Sequence, residues 1–455
     1  MRTLFVILTL LFLLTACDGR EEETSAPPAD YPTTRGVFAT HSFSENPSTE
    51  ELDWLASFAV VEIGGLWYEP PEGYRSLKER GVRVLGYDWM PAVLYWPGGE
   101  NIPIAEWLYE NRDWASLNPK GPYPHCEESY GSECQDYYFD YGKPAVVAEK
   151  TSRLTARAEG WGWDGIFFDW ASGVFIFNKK RGYQQLAETF TERHPETSYL
   201  EAVGSFYEGL RERFEGLVVT NQGFRNPENV LPHTDYDVAE SYAVTEKYLG
   251  RVLEVEGRGE IEVPDTIYYP VSPDERDGKL SDTLDYLRYL AGLEAEHAGE
   301  RFKGFIYINY AAPRFVPKGD GTYRAETPKN AILFGYAVPK LLGYTGYTEV
   351  PFDRSLERLP VYQADLGEPL GGDYEEQEGV YVRFYERGLV LVGELLEPKT
   401  VRLRSPYIKG GWLYDFYSDS WIRAEEGVLE LTLYPECDPV TDRTAPVGRV
   451  LVYGR

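Results

Sequence analysis

Two short segments of the chain end in a carboxylate in the manner of strands that carry catalytic acids. Gly162-Trp163-Asp164-Gly165-Ile166-Phe167-Phe168-Asp169-Trp170 is an apolar run stopped by an acid and an indole. Tyr236-Asp237-Val238-Ala239-Glu240, followed by Ser241 and Tyr242, is the second. Alternate side chains of a strand share a face, so Asp169 falls in phase with Phe167 and Glu240 with Val238, and both acids can point into one cleft. Such a pair suits hydrolysis of a glycosidic bond: one carboxylate attacks the anomeric carbon or activates water, while the other protonates the leaving oxygen. Trp170 and Tyr242 would desolvate Glu240, and Asn221 would keep Asp169 ionised. The separation of the two acids then sets the stereochemistry, at about 5 Å for retention and roughly 6.5–9.5 Å for inversion.

The acids need elements that bring them together. Eight short apolar segments punctuate the chain: 35–40, 58–63, 82–87, 165–169, 217–221, 236–240, 266–270 and 304–309. Amphipathic stretches such as 143–159, 183–215 and 282–298 lie between them, and eight alternating units predict an α/β fold, a (β/α)₈ TIM barrel. In that fold the C-terminal strand ends form the active-site rim. The ends read His41, Tyr87-Asp88-Trp89, Asp169-Trp170, Asn221-Gln222, Glu240-Ser241-Tyr242 and Asn309-Tyr310. Tyr87, Asp88, Trp89, Trp170, Asn221, Gln222, Tyr242, Asn309 and Tyr310 are therefore the expected substrate-binding residues, around the catalytic pair Asp169 and Glu240. Asp164, Asp235 and Asp237 precede strand tips and read as structural, whereas Glu62 sits within an apolar strand and must be paired or useful. No glycine-rich phosphate loop follows the first strand.

With 45 basic and 74 acidic residues the net charge is −29, which opposes nucleic acid as a partner. Arg2 and the apolar run Leu4–Leu14, ending in Leu14-Thr15-Ala16-Cys17, resemble a bacterial lipoprotein signal, implying cleavage before Cys17, lipidation of its thiol, export and a membrane anchor in the cell envelope. Residues 1–16 are then the signal peptide and 17–34 a lipidated, flexible tether. In an exported protein Cys126 and Cys134 are expected to pair as a disulfide. The alternative is a metal held by His125, Cys126 and Cys134, although no Cys-x-x-Cys spacing supports it. Cys437 is left as a buried small hydrophobe. The paired-acid chemistry calls for no cofactor and no metal.

Gly162-Trp163-Asp164-Gly165-Ile166-Phe167-Phe168-Asp169 resembles the G-[YFW]-D-G-[IV]-F-[LF]-D strand of glycoside hydrolase barrels related to endo-α-1,4-polygalactosaminidases, and Asp237-Val238-Ala239-Glu240-Ser241-Tyr242 is similar to their sixth-strand acid. The resemblance implies Asp169 as nucleophile or its equivalent, Glu240 as acid/base, and a poly- or oligosaccharide substrate, neutral or amino-sugar. It covers the barrel, which is assigned to 35–347. An insertion at 91–141, rich in Tyr and Trp, departs from simpler members and offers a cleft wall. From 348 to 455 the pattern turns to period two, with a hairpin at 380–392, and predicts a C-terminal antiparallel β-sandwich. Two alternatives to hydrolysis are a non-catalytic carbohydrate-binding surface lipoprotein and a polysaccharide deacetylase; the latter needs a metal held by His and Asp, and the five histidines form no paired motif.

Overall fold

The computed structural model describes residues 27–40, 47–70, 72–120, 134–179, 182–269, 278–299, 301–441 and 443–455. Cys17, His41, His125 and Cys126 lie outside the described residues. Eight parallel strands form the central sheet: β1 (Gly36–Thr40), β2 (Phe58–Gly65), β3 (Arg83–Trp89), β4 (Gly165–Asp169), β5 (Leu217–Asn221), β6 (Tyr236–Glu240), β7 (Phe305–Tyr310) and β8 (Gly346–Glu349). They hydrogen-bond in sequence order, and β8 comes back beside β1. Helices such as Pro144–Trp161, Tyr199–Arg211, Leu280–His297 and Lys329–Lys340 wrap them, giving the (β/α)₈ barrel.

Alternation along the strands separates two cores. Phe38, Leu85, Phe167, Val219, Val238 and Ile308 point inward and fill the lumen, so the barrel has a packed floor under its mouth. Side chains of opposite parity, among them Val61, Val84, Ile166, Phe168 and Tyr307, meet the helices. The helix Pro144–Trp161 shows how β4 is placed. Proline opens it, Gly162 at φ +75° ends it, and Asp164 then accepts from the Val84 amide at 3.0 Å while pairing with Lys78 at 2.9 Å. Asp164 thus fixes the register between β3 and β4, and Asp235 does the same between β5 and β6 through Arg211 and the Val218 amide.

Two barrel strands differ from the expected set. The segment at 266–270 ends the second arm of an antiparallel hairpin, Val244–Val255 with Gly259–Tyr268, outside the barrel; Pro270 lies outside the described residues. The seventh strand is 305–310, and the eighth is the four-residue Gly346–Glu349, which crosses the expected boundary at 347. A β-branched and aromatic run reads alike in parallel and antiparallel pairing, whereas Gly-Tyr-Thr-Glu has too few apolar residues to read as a strand. Val350, Val361 and Tyr362 still belong to the barrel core.

Beyond them the sandwich packs a six-stranded antiparallel sheet against the pair Lys399–Arg404 and Val428–Leu433. Leu389, Leu391 and Leu451 face into the sandwich, and Val390, Val392, Val450 and Val452 face the barrel. Contact there is close: a Cβ on Gly448 would stand 2.3 Å from the Phe334 amide nitrogen. The end of the expected tether is also packed. Tyr31 stacks on Tyr414 at 4.7 Å, Thr34 donates to the Gln363 carbonyl, and Pro32 is buried, because aromatic contact and backbone pairing hold residues 28–34 against both domains. In the insertion, Ala92–Tyr95 pairs antiparallel with Gln135–Tyr138. Cys134 is disulfide-bonded, and Cys437 is free and exposed rather than buried, on a two-residue edge strand.

Candidate active site

Asp169 and Glu240 both reach the lumen mouth, where a cavity of about 210 Å³ is lined by Thr40, Glu62, Tyr87, Asn221, Tyr310, Glu349 and Arg354 among others. Each acid is the last residue of its strand, and each is followed by a non-glycine residue in the left-handed region: Trp170 at φ 53° and Ser241 at φ 54°. Gln222, at φ 60°, does the same after Asn221. The chain turns sharply at all three tips, leaving the preceding side chain aimed into the mouth.

Asn221 joins the pair. Its Nδ2 donates to Asp169 Oδ1 at 3.0 Å and to Glu240 Oε2 at 2.9 Å. Two carboxylate oxygens facing one amide group require its nitrogen there, which settles the orientation of the amide. The two bridged oxygens therefore lie at most about 6 Å apart, which brings both carboxylates to one reacting centre. Asp169 also accepts from the Tyr87 hydroxyl at 2.8 Å and the Trp170 amide at 2.8 Å. Glu240 accepts from the Tyr310 hydroxyl at 2.5 Å and Gln222 Nε2 at 3.3 Å.

Burial, followed by the charge of Glu240, pushes Asp169 up from 3.8 to about 6, against the three donors that favour its ionised form. Burial and the carboxylate beside each phenol raise Tyr87 and Tyr310, so both remain proton donors at neutral pH.

Glu62, Glu349 and Arg354 complete the wall. Glu62 lies in phase with Val60 and faces the lumen; it accepts from the Gly64 amide at 3.0 Å, and burial pushes it up to about 7. Glu349 pairs with Arg354 at 2.9 Å, and burial pushes it up to about 8. Glu357 holds the same arginine from behind and accepts from Tyr347 at 2.6 Å. Sequence reasoning missed Glu349 and Arg354. The available signal was a glycine-bounded segment ending in an acid, the pattern already seen at Asp169 and Glu240.

The other expected residues divide. Tyr87, Asn221 and Tyr310 line the cavity, and Gln222 reaches Glu240. Trp89 and Trp170 meet edge to face at 5.6 Å in an adjoining cleft. Asp88 borders that cleft but is 3% exposed, tied to Lys150 at 3.1 Å and to the Trp67 indole at 2.7 Å, so it supports the wall. Tyr242 and Asn309 do not enter the cavity. Tyr242 donates to the Gly335 carbonyl at 2.7 Å, since the left-handed turn at Ser241 breaks the alternation before it, and Asn309 accepts from the Ala243 and Val244 amides, since it shares the outward parity of Tyr307. Asp237 is structural as expected, accepting from Thr220 and from the Gly223 and Phe224 amides. Among the described residues, no cluster of His, Cys, Asp and Glu has the arrangement of a metal site.

Neither a protein-family model nor a curated protein sequence matches the chain. Solved structures do, glycoside hydrolases among them. The chain is similar to a maltogenic α-amylase from Thermotoga neapolitana, at 10% identity over 91% of this chain and 98% of that one, with a TM-score of 0.51. The glycoside hydrolase domain of PelA from Pseudomonas aeruginosa matches at 15% identity over 70% of this chain and 96% of that one, with a TM-score of 0.40. A GH27 β-L-arabinopyranosidase from Geobacillus stearothermophilus matches at 8% identity over 94% and 98%, with a TM-score of 0.46. Identities this low speak to the fold alone, and the amylase match runs through both the barrel and the sandwich of this chain.

Proposed function

We propose that the protein is a retaining glycoside hydrolase acting on a poly- or oligosaccharide, with Asp169 as nucleophile and Glu240 as acid/base. The observation that carries this reading is the single amide of Asn221 bridging both carboxylates, their nearest oxygens at most about 6 Å apart and so close enough for double displacement. Asp169 attacks the anomeric carbon as the glycosidic C–O bond breaks, and the Glu240 proton passes to the leaving oxygen. Water, deprotonated by Glu240, then displaces Asp169 and regenerates both groups. Tyr87 and the Trp170 amide hold Asp169 in its ionised form and in place.

The bond cleaved is an O-glycosidic one within an envelope polysaccharide, and the acidic cavity and net charge of −29 favour a neutral or amino-sugar chain over a polyanion. The Leu14-Thr15-Ala16-Cys17 motif supports export and a lipid anchor at Cys17, and the spacing of Cys126 supports it as the partner of Cys134. The test is product release from a panel of neutral and amino-sugar polysaccharides, comparing the chain from Tyr31 onward with its Asp169→Asn and Glu240→Gln variants. Both folded variants should lose at least about a thousandfold in turnover while still binding the chain. Binding without cleavage by the parent would instead identify a carbohydrate-binding protein.

A further inference from the structure

Beside the carboxylate cavity lies a larger cleft of about 480 Å³, which shares only Tyr87 and Asp169 with it and does not touch Glu240. Its lining is aromatic, with Tyr68, Trp89, Trp96 and Trp170 along it and Trp67 behind. Tyr68 is 62% exposed, a large ring with no place in the core.

The wall is fixed in advance from three directions. Asn101 accepts from the Trp96 amide at 2.7 Å and donates to the Trp96 carbonyl at 3.0 Å, clamping the loop. Tyr95, next to it, stacks on Tyr109 at 3.9 Å and anchors that loop to the helix Pro103–Glu110. From beneath, buried Lys150 holds Asp88, and Asp88 holds the Trp67 indole. A wall whose backbone is held in this way loses less freedom when it meets a ligand.

Direction follows from the chemistry. In displacement at an anomeric carbon the leaving group departs toward the proton donor and away from the nucleophile. A cleft that adjoins Asp169 and not Glu240 therefore lies along the sugars that stay on the enzyme. If the cavity of about 210 Å³ seats the reacting ring, a cleft of more than twice that volume seats at least two more.

Resting on the glycosidase reading above, we infer that the Tyr68, Trp89, Trp96 and Trp170 cleft is a glycon-side groove that stacks two or more consecutive sugar rings beyond the one attacked by Asp169. The enzyme thus recognises a run of chain and carries at least a trisaccharide on the nucleophile.

The test uses the panel polysaccharide that is cleaved, cut into reducing-end-labelled oligosaccharides of two to eight units, with Tyr68→Ala and Trp96→Ala compared with the parent after circular dichroism shows each folded. In the parent, kcat/KM should climb with length up to at least four units, and from chains of four units or more the main unlabelled product should be a trisaccharide or longer. In each variant the ratio of kcat/KM for eight units over two units should fall about tenfold. An unchanged ratio in both variants, or unlabelled monosaccharide as the main product from chains of four units or more, overturns the groove. Should the panel yield no cleavage, the Asp169→Asn protein is titrated with the same polysaccharides by tryptophan fluorescence. Quenching that Trp96→Ala abolishes keeps the groove as a binding site while the glycosidase reading fails, and no quenching by any of them overturns both.

Discussion

At the residue scale, the chemistry turns on how three donors hold Asp169. Tyr87, Asn221 and the Trp170 amide each favour the ionised form, while burial and Glu240 oppose it and leave the group at about 6. A nucleophile must be ionised, so kcat/KM should fall on the acid side with a midpoint near 6 that belongs to the coupled pair. Tyr87→Phe removes one donor and keeps the ring. It should shift that acid limb to higher pH and lower kcat/KM about tenfold, and a pH–rate profile checks both. An acid limb that stays in place would mean that another group controls it.

Among the elements, the strand tips decide which side chains meet. The fourth and sixth strands were legible in the sequence because a buried strand that ends in an acid breaks its own apolar pattern, as Ile166-Phe167-Phe168-Asp169 and Val238-Ala239-Glu240 do. Parity along them predicted the common face. What stayed hidden lies where one residue carries two signals. Asn309 closes an apolar run as Asn221 does, yet it points outward and accepts from two amides of the segment that follows the sixth strand. Glu349 sits in a strand of four residues, too short for periodicity to register. Glu62 was legible as out of place, and its pairing with the Gly64 amide was not, since it depends on how β2 bends at Gly64 (φ 156°). The helix Lys329–Lys340 links that barrel edge to the sandwich and passes close on both sides: a Cβ on Gly335 would lie 2.2 Å from Thr348 Oγ1, and one on Gly448 would strike Phe334. Gly448→Val should therefore destabilise the protein by about 3 kcal/mol, read as a lower denaturant midpoint with the m-value kept. A midpoint within error of the parent would show that the interface yields easily.

For the whole molecule, several buried acids titrate together. Asp169, Glu62, Asp237 and Glu349 are raised to about 6, 7, 7 and 8, each chiefly by burial. A carboxyl whose folded value exceeds its unfolded one binds its proton more tightly in the folded state, so its stabilisation is complete below about pH 4 and is lost as pH rises through the folded value. Stability should accordingly decline between about pH 4 and pH 8, in the direction that growing negative charge also pushes it. Glu62→Gln removes one such group and should recover about 3 kcal/mol of that decline at pH 8, measured by denaturant unfolding at pH 5 and pH 8. A slope identical to the parent's would show that Glu62 titrates in the folded protein as it does in the unfolded chain. The packed segment before β1 has a different consequence. Pro28 lies against Gly454, and the Arg455 amide donates to the Asp30 carbonyl, so the first and last described residues are neighbours. The two ends can be joined by a few glycines and the chain reopened at the tip of the Val244–Tyr268 hairpin, at Gly257, where a side chain would meet nothing within 4 Å. Such a circular permutant should fold to the same barrel, because the order of the strands in space does not depend on where the polypeptide is cut.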